Sequence, residues 1–470
     1  MKVEQIYTGC IAHAAYYLES NGEAAIFDPL REVQPYIDKA KKDNAKIKYI
    51  FETHFHADFV SGHLDLANKT GAEIVYGPTA NPNFNAIIAS DNQDFKIGNY
   101  TVRAIHTPGH TLESTTYLLI DDKGKMHGII TGDTLFIGDV GRPDLAQKVI
   151  AELTQDKLAE MLFDSLRNKI MTLPDDLIVY PNHGAGSACG KNMSKETTDT
   201  LGNQKKTNYA LRADMTKEEF KKELLDGLMP PPAYFPQNVL MNIKGYESLD
   251  NVMQQGLNPL SPKEFEAIAN ESEAVIIDAR HENDFVAEHI PSSIFIGLHS
   301  NFAQWVGALI MDVKQPILLV VPEGKEEEAV IRLSRVGFDN TLGYLKGGIN
   351  AWKEAGYETD KVNSVSAEEF AKDYENKPVI DARREGEYVA EHIQKAKNIP
   401  LDYMNDYLSE FPKDETFYVH CAGGYRSVIM SSILKLRGYH NFINVEKGIT
   451  GIRQAGVPLT DYVCPSTLKK

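Results

Sequence analysis

The stretch Ile47-Lys-Tyr-Ile-Phe-Glu-Thr-His-Phe-His-Ala-Asp-Phe-Val-Ser-Gly-His63 decides how the first part of the chain is read. An apolar, β-rich run delivers His54, His56 and Asp58 onto a loop at its end. In extended backbone alternate side chains face the same way, so these three side chains converge. Three further runs end similarly: Tyr100–Ile105 before Thr107-Pro-Gly-His110, Gly128–Thr131 before Gly-Asp133, and Leu177–Tyr180 before Pro-Asn-His183. Four strand ends that each offer a His or Asp are far more specific than one histidine, and His54, His110 and Asp133 form the group that points to a metal. Eight of the fourteen histidines precede residue 185, which agrees with metal chemistry in this part. His13, His106 and His127 carry no such pattern and read as structural.

Beyond this region the chain repeats itself. Val275-Ile-Ile-Asp-Ala-Arg280 matches Val379-Ile-Asp-Ala-Arg383, and Phe285-Val-Ala-Glu-His-Ile290 matches Tyr388-Val-Ala-Glu-His-Ile393. Lys346-Gly-Gly-Ile349 is echoed by Lys447-Gly-Ile449, about 100 residues on, the size of a small domain. Both copies alternate short β-rich runs with helical stretches, the pattern of a parallel sheet covered by helices. Between the regions, Thr216 to Leu228 predicts an amphipathic helix ended by Pro230-Pro-Pro232, which places a linker at 230–256. The expected division is 1–229, 257–357 and 362–470, in keeping with the roughly three domains that 470 residues predict.

The second copy contains Phe417-Tyr-Val-His-Cys-Ala-Gly-Gly-Tyr-Arg-Ser427 followed by a helical stretch. A cysteine at a strand-to-helix turn faces the positive end of the helix dipole, which favours thiolate. Gly423 and Gly424 let backbone N–H groups curl round the sulfur as an anion nest, Arg426 adds positive charge and Ser427 a hydrogen bond. Such a loop suits a persulfide on Cys421 and an anionic acceptor above it. The first copy reads Val320-Val-Pro322 at the aligned position, followed by the acidic Glu323-Gly-Lys-Glu-Glu-Glu328, so it has no nucleophile. Cys189, in His183-Gly-Ala-Gly-Ser-Ala-Cys-Gly190, follows one of the metal-region histidines and is either a sulfur relay near the metal or a small residue in a tight loop. Cys10 and Cys464 receive no role.

The first 200 residues or so resemble the metallo-β-lactamase superfamily, and both repeat copies resemble rhodanese domains. The resemblance implies an α/β multidomain chain: an αββα sandwich followed by two small parallel-sheet α/β domains. The family motif His-x-His-x-Asp-His reads His54-Phe-His-Ala-Asp-Phe59 here, so a phenylalanine stands where dinuclear hydrolases place a second-metal histidine. That departure leaves His54, His110 and Asp133 as a two-histidine, one-carboxylate set, typical of non-haem Fe(II) oxygenases. The branch it looks most like is the persulfide dioxygenases. By that resemblance one Fe(II) per chain, with Zn as the alternative, is expected on His54, His110 and Asp133. His56, Asp58 and His183 are expected in supporting or alternative ligand roles. Gly141-Arg-Pro-Asp144 matches a segment of that branch, and Arg142 with Asp144 is expected to hold a substrate carboxylate; a salt bridge is the alternative. Asp381-Ala-Arg383 and Glu391-His-Ile393 match the rhodanese framework, with His392 structural.

The domain order resembles bacterial persulfide dioxygenase–sulfurtransferase fusions of sulfide detoxification. It implies a thiol persulfide, O₂, sulfite and thiosulfate as small-molecule partners, and Cys421, Arg426, Ser427 and Cys189 as the sulfur-handling residues. Two other readings stand beside it: a zinc thioester hydrolase of the glyoxalase II type, and a non-enzymatic sulfide-responsive scaffold. The net charge of −17 argues against nucleic acid or an anionic membrane as partner. No apolar run is long enough to span a bilayer, and no secretion signal is visible at Met1. Four cysteines make no disulfide framework, so a reduced cytoplasmic chain is expected. A homo-oligomer is expected, with the cysteine-free copy offering an interface.

Overall fold

The structure is a computed structural model and describes residues 2–145, 153–191 and 193–464. The chain divides into two compact units, Met1–Asn251 with Leu333–Phe338, and Val252–Arg332 with Asp339–Lys470. Among the described residues no helix is long and apolar enough to cross a membrane.

The first unit is built on two six-stranded sheets. One runs Lys2–Thr8, His13–Ser20, Glu23–Phe27, Lys46–Phe51, Glu73–Tyr76, Ile87–Ile88. The other runs Asp199–Thr200, Ile178–Pro181, Met126–Gly132, Thr115–Ile120, Tyr100–His106, Asp94–Ile97. The β-branched and aromatic residues on their inner faces interdigitate: Tyr16, Phe27, Phe51, Tyr117 and Ile130 are completely buried in one cluster. Phe27 and Phe51 stack at 4.8 Å. Helices Gln34–Lys42 and His63–Thr70 cover the first sheet, while Gln155–Ser165 and Lys217–Leu225 pack their apolar faces on the second. The result is a helix–sheet–sheet–helix sandwich, whose parallel strand pairs bring several C-terminal ends to one rim.

In the second unit both repeat copies form five-stranded parallel sheets of the same order. The first is Pro259–Leu260, Thr341–Leu345, Ile317–Val320, Val275–Asp278, Ile294–Phe295; the second is Ser364–Val365, Phe442–Val445, Phe417–His420, Val379–Asp381, Lys397–Asn398. Helix Tyr425–Leu436 of the second copy is buried along nearly its whole length, from Ser427 to Leu434. It packs on the edge strand Ile294–Phe295 of the first copy, where the Phe295 N–H donates to Ser432 Oγ at 3.0 Å.

Two expectations are corrected here. The stretch 230–256 is not a bare linker, because it carries helices Phe235–Lys244 and Leu249–Gly256. The helix expected to run to Leu228 stops at Leu225, five residues before the prolines.

Candidate metal centre and cysteine loop

The apolar strand Lys46–Phe51 is gripped between parallel neighbours, so the polar run after Phe51 must leave the sheet at its end. That places His54 beside the loops that follow Tyr100–His106 and Met126–Gly132. His110 Nε2 lies 3.4 Å from Asp133 Oδ2, and His54 Nε2 lies 3.9 Å from the same oxygen. The ligand atoms of all three fall within 4.8 Å of one another, and all three side chains are buried. His110 is fixed by its other nitrogen, which donates to the Arg142 carbonyl at 2.8 Å and leaves Nε2 as a lone pair. His54 Nδ1 meets Thr53 Oγ1 at 3.0 Å. Burial first, then the neighbouring His56 and His110, hold His54 well below the usual histidine range, as a neutral ligand requires. His54 Nε2 and both Asp133 oxygens have no hydrogen-bond partner. Buried polar atoms left unmatched in this way are costly unless something sits between them, so the trio fits a cation. Gly141 keeps the centre narrow, since a Cβ there would stand 2.2 Å from the Asp133 carbonyl and 2.8 Å from His110 Nδ1.

His56 does not join this trio. Its Nε2 lies 2.9 Å from Asp28 Oδ1 and 3.3 Å from Glu52 Oε2, in a second buried group. Burial opposes its charge, but the Asp28 and Glu52 carboxylates raise it well above the usual range. Phe59 packs against this group, its ring 4.2 Å from that of His13 and 4.3 Å from that of His56. The residue that departs from the family motif is thus a completely buried apolar wall. The loop is also held by Asn242, whose amide donates to the His56 and Phe59 carbonyls at 2.8 and 2.9 Å and accepts from the Ser61 N–H. Sequence reasoning missed this residue, because Asn242 lies in the stretch read as a linker.

Asp58 and His183 stay near the trio. His183 Nε2 is 3.3 Å from Asp58 Oδ2 and 3.5 Å from Asp133 Oδ1, while its Nδ1 meets the Ala12 carbonyl at 3.0 Å. Cys189 completes a buried group with these two. Burial, followed by the Asp58 and Asp133 charges, pushes its thiol well above the usual range. Arg142 forms the salt bridge that was its alternative reading. Its fork is bidentate to Asp144 at 2.6 Å on both arms, and Nη2 also donates to the Met229 carbonyl at 2.5 Å. Its backbone N–H meets the Cys189 carbonyl at 3.0 Å. In this structure Arg142 and Asp144 therefore pair with each other.

In the second unit, strand Phe417–His420 ends at Cys421, and Gly424 at φ +113° turns the chain into helix Tyr425–Leu436. The Gly424 N–H points at Cys421 Sγ from 3.2 Å, and Sγ lies 3.6 Å from Ser427 Oγ. Gly423 stands in open space. The Cys421 carbonyl is held by the Ile449 N–H at 2.7 Å, and Gly448 at φ +50° lets the backbones approach. Arg426 is not a free charge over the loop, because it pairs bidentately with Glu387 at 2.6 and 2.8 Å. His392 stacks on Tyr388 at 3.8 Å and bonds its carbonyl, a packing role.

Fold and site define a metal-dependent α/β enzyme. Residues 8–183 match the model of the metallo-beta-lactamase superfamily, and 261–355 and 366–455 match that of the rhodanese-like domain. A metallo-beta-lactamase structure from Staphylococcus aureus subsp. aureus COL is 31% identical, with a TM-score of 0.66, and is covered over 73% of this chain and 99% of that one. The chain belongs to the metallo-beta-lactamase superfamily and carries two rhodanese-like domains. A probable hydroxyacylglutathione hydrolase of Schizosaccharomyces pombe is 30% identical over 183 residues, 38% of this chain and 66% of that protein's length. The structure of ETHE1 from Myxococcus xanthus is 25% identical with a TM-score of 0.44, covering 52% of this chain and 98% of that one.

Proposed function

We propose that the first unit is a mononuclear non-haem Fe(II) dioxygenase that oxidises a low-molecular-weight thiol persulfide to sulfite, and that Cys421 transfers sulfane sulfur. One observation carries the reading: Phe59, which cannot ligate a metal, stands at the motif position of a second-metal histidine, while His54 Nε2 and both Asp133 oxygens have no hydrogen-bond partner. A two-histidine, one-carboxylate face favours iron with open positions over a closed zinc site. His54, His110 and Asp133 would hold the Fe(II), which would supply the redox chemistry with O₂. The chain's own residues do the rest. His110 is oriented through the Arg142 carbonyl, and Asp58 with His183 offers a proton-holding pair beside Asp133.

In balance, persulfide, O₂ and water give thiol, sulfite and two protons. At Cys421, sulfite attacks the outer sulfur of a cysteine persulfide, the S–S bond breaks, and thiosulfate leaves with the thiolate restored. The Gly424 N–H stabilises that thiolate. Cys189, grouped with Asp58 and His183, is the candidate to accept sulfur at this centre once its proton is removed. Purified protein should contain about one iron per chain and take up O₂ only with glutathione or coenzyme A persulfide. Zinc as the active metal with no oxygen uptake would refute the proposal.

A second reading, a zinc thioester hydrolase, is favoured by the hydroxyacylglutathione hydrolase relatives, of which the chain spans 66% and 58% in the first two. Phe59 weighs against it, because a phenyl ring supplies no ligand where dinuclear hydrolases place a second-metal histidine. Hydrolysis of S-lactoylglutathione by the zinc-loaded chain would decide for it.

A further inference from the structure

The cysteine-free copy has lost its nucleophile but carries a cluster that neither the metal centre nor Cys421 uses. His281, Glu282 and His299 present ligand atoms within 4.8 Å of one another. His299 Nε2 is 3.1 Å and His281 Nδ1 is 3.4 Å from the same oxygen, Glu282 Oε2. That oxygen is shielded from solvent and has no hydrogen-bond partner. His281 Nδ1 accepts the Asn283 N–H at 3.3 Å, a long capping bond whose place an ion at this nitrogen would take. Ligands about 2.0–2.1 Å from a tetrahedral Zn²⁺ stand about 3.3 Å apart, and the two distances bracket that value. The backbone also makes room for the arrangement: at Gly297 a Cβ would meet His299 Cε1 at 2.7 Å.

We propose that His281, Glu282 and His299 bind a divalent transition-metal ion of the Zn²⁺ class, and that the bound ion steadies the neighbouring Cys421 loop. The link is direct. The His299 ring stands edge-on to Tyr425 at 5.3 Å, and the Tyr425 hydroxyl donates to the Gly297 carbonyl at 2.9 Å. Tyr425 precedes Arg426 in the cysteine loop. Fixing His299 therefore fixes the first turn of the helix that faces Cys421 Sγ. The two imidazoles are 51% and 44% exposed, so an ion in solution reaches them and substitution there leaves the core intact. The site stands whether the first unit holds iron or zinc.

Equilibrium dialysis of the full chain against Zn²⁺ tests the site, with wild type, His281→Ala and His299→Ala compared and folding checked by circular dichroism. Wild type should hold one more equivalent than either variant. A His54→Ala variant should lose metal at the first centre and keep this equivalent. With Cu²⁺ in place of Zn²⁺, the electron paramagnetic resonance spectrum should show splitting from two nitrogens. Equal zinc stoichiometry in wild type and both histidine variants would overturn the site. Zinc should also change thiosulfate-to-cyanide sulfur transfer by about fivefold or more in wild type but not in His281→Ala. An unchanged wild-type rate would overturn the coupling to the loop, whatever becomes of O₂ uptake.

Discussion

Gly348 and Gly448 occupy the same place in the two repeat copies, at φ +58° and +50°, and this pairing supplies an internal control. A Cβ on Gly348 would meet nothing within 4 Å, whereas one on Gly448 would stand 2.2 Å from the Cys421 carbonyl oxygen and 2.8 Å from the Ala422 carbonyl carbon. Gly348→Ala should therefore cost only left-handed backbone strain, about 1–2 kcal/mol. Gly448→Ala carries the same strain and must also drive the Cys421 carbonyl back by about 1 Å to reach ordinary contact. Overpacking of that kind adds about 1–3 kcal/mol, for about 2–5 kcal/mol in all. The same displacement moves the sulfur, and misplacement of about 1 Å can cost about 100-fold in rate. Urea unfolding of both variants, with thiosulfate-to-cyanide sulfur transfer measured in parallel, reads both effects. Equal urea midpoints together with unimpaired transfer in Gly448→Ala would contradict the steric account.

Asn242→Ala should destabilise the first unit by about 1–3 kcal/mol for each carbonyl left unmatched at His56 and Phe59, and lower the metal content; full metal loading and an unchanged urea midpoint would count against it. Arg142→Ala strips the buried partner from Asp144 and should cost about 3–5 kcal/mol. A stable Arg142→Ala protein with only KM raised would instead return Arg142 to substrate binding. Burial opposes the charge on Asp381, yet His420 and the Arg383 bonds hold its carboxyl below the usual range. Its contribution is therefore full above the unfolded value of about 3.9 and fades as pH falls through the lower folded one. The deficit of Asp381→Asn in urea should accordingly shrink below about pH 4; a deficit constant from neutral pH down would speak against the Arg383 pairing.

The strand-end loops and the repeat were legible because period-two runs and duplicated motifs are local signals. His54, His110 and Asp133 could be grouped from sequence, since each lies just beyond a β-rich run. The fate of His56 was not legible. Its partners Asp28 and Glu52 meet it only because parallel strands bring their ends together, and nothing in His-x-His spacing says which way the ring turns. Which of the two readings of Arg142 the fold favours was not legible for a similar reason: Asp144 lies two residues away, but the Met229 carbonyl its fork also meets is 87 residues distant. The glycine turn at Cys421 was readable, whereas the Glu387 clamp on Arg426 was not, because it depends on a helix made 39 residues earlier. Helices Phe235–Lys244 and Leu249–Gly256 were hidden by the proline run, which marks a break in the chain and carries no signal for the elements beyond it.

The helix that begins just after the Cys421 loop rests on the edge strand Ile294–Phe295, and Ser432 is 137 residues downstream of the Phe295 it meets. A ribosome therefore delivers the strand first. The cysteine-free copy can close its sheet while the cysteine-bearing copy is still being made, and it waits with one edge open. The later helix is buried along most of its length and would expose Val428, Ile429, Met430, Ile433 and Leu434 if left alone, but it emerges next to a surface already shaped to receive it. The silent copy is thus a template in time as well as a wall in space. Exchanging the order of the two copies in the gene should slow folding even if every native contact were kept.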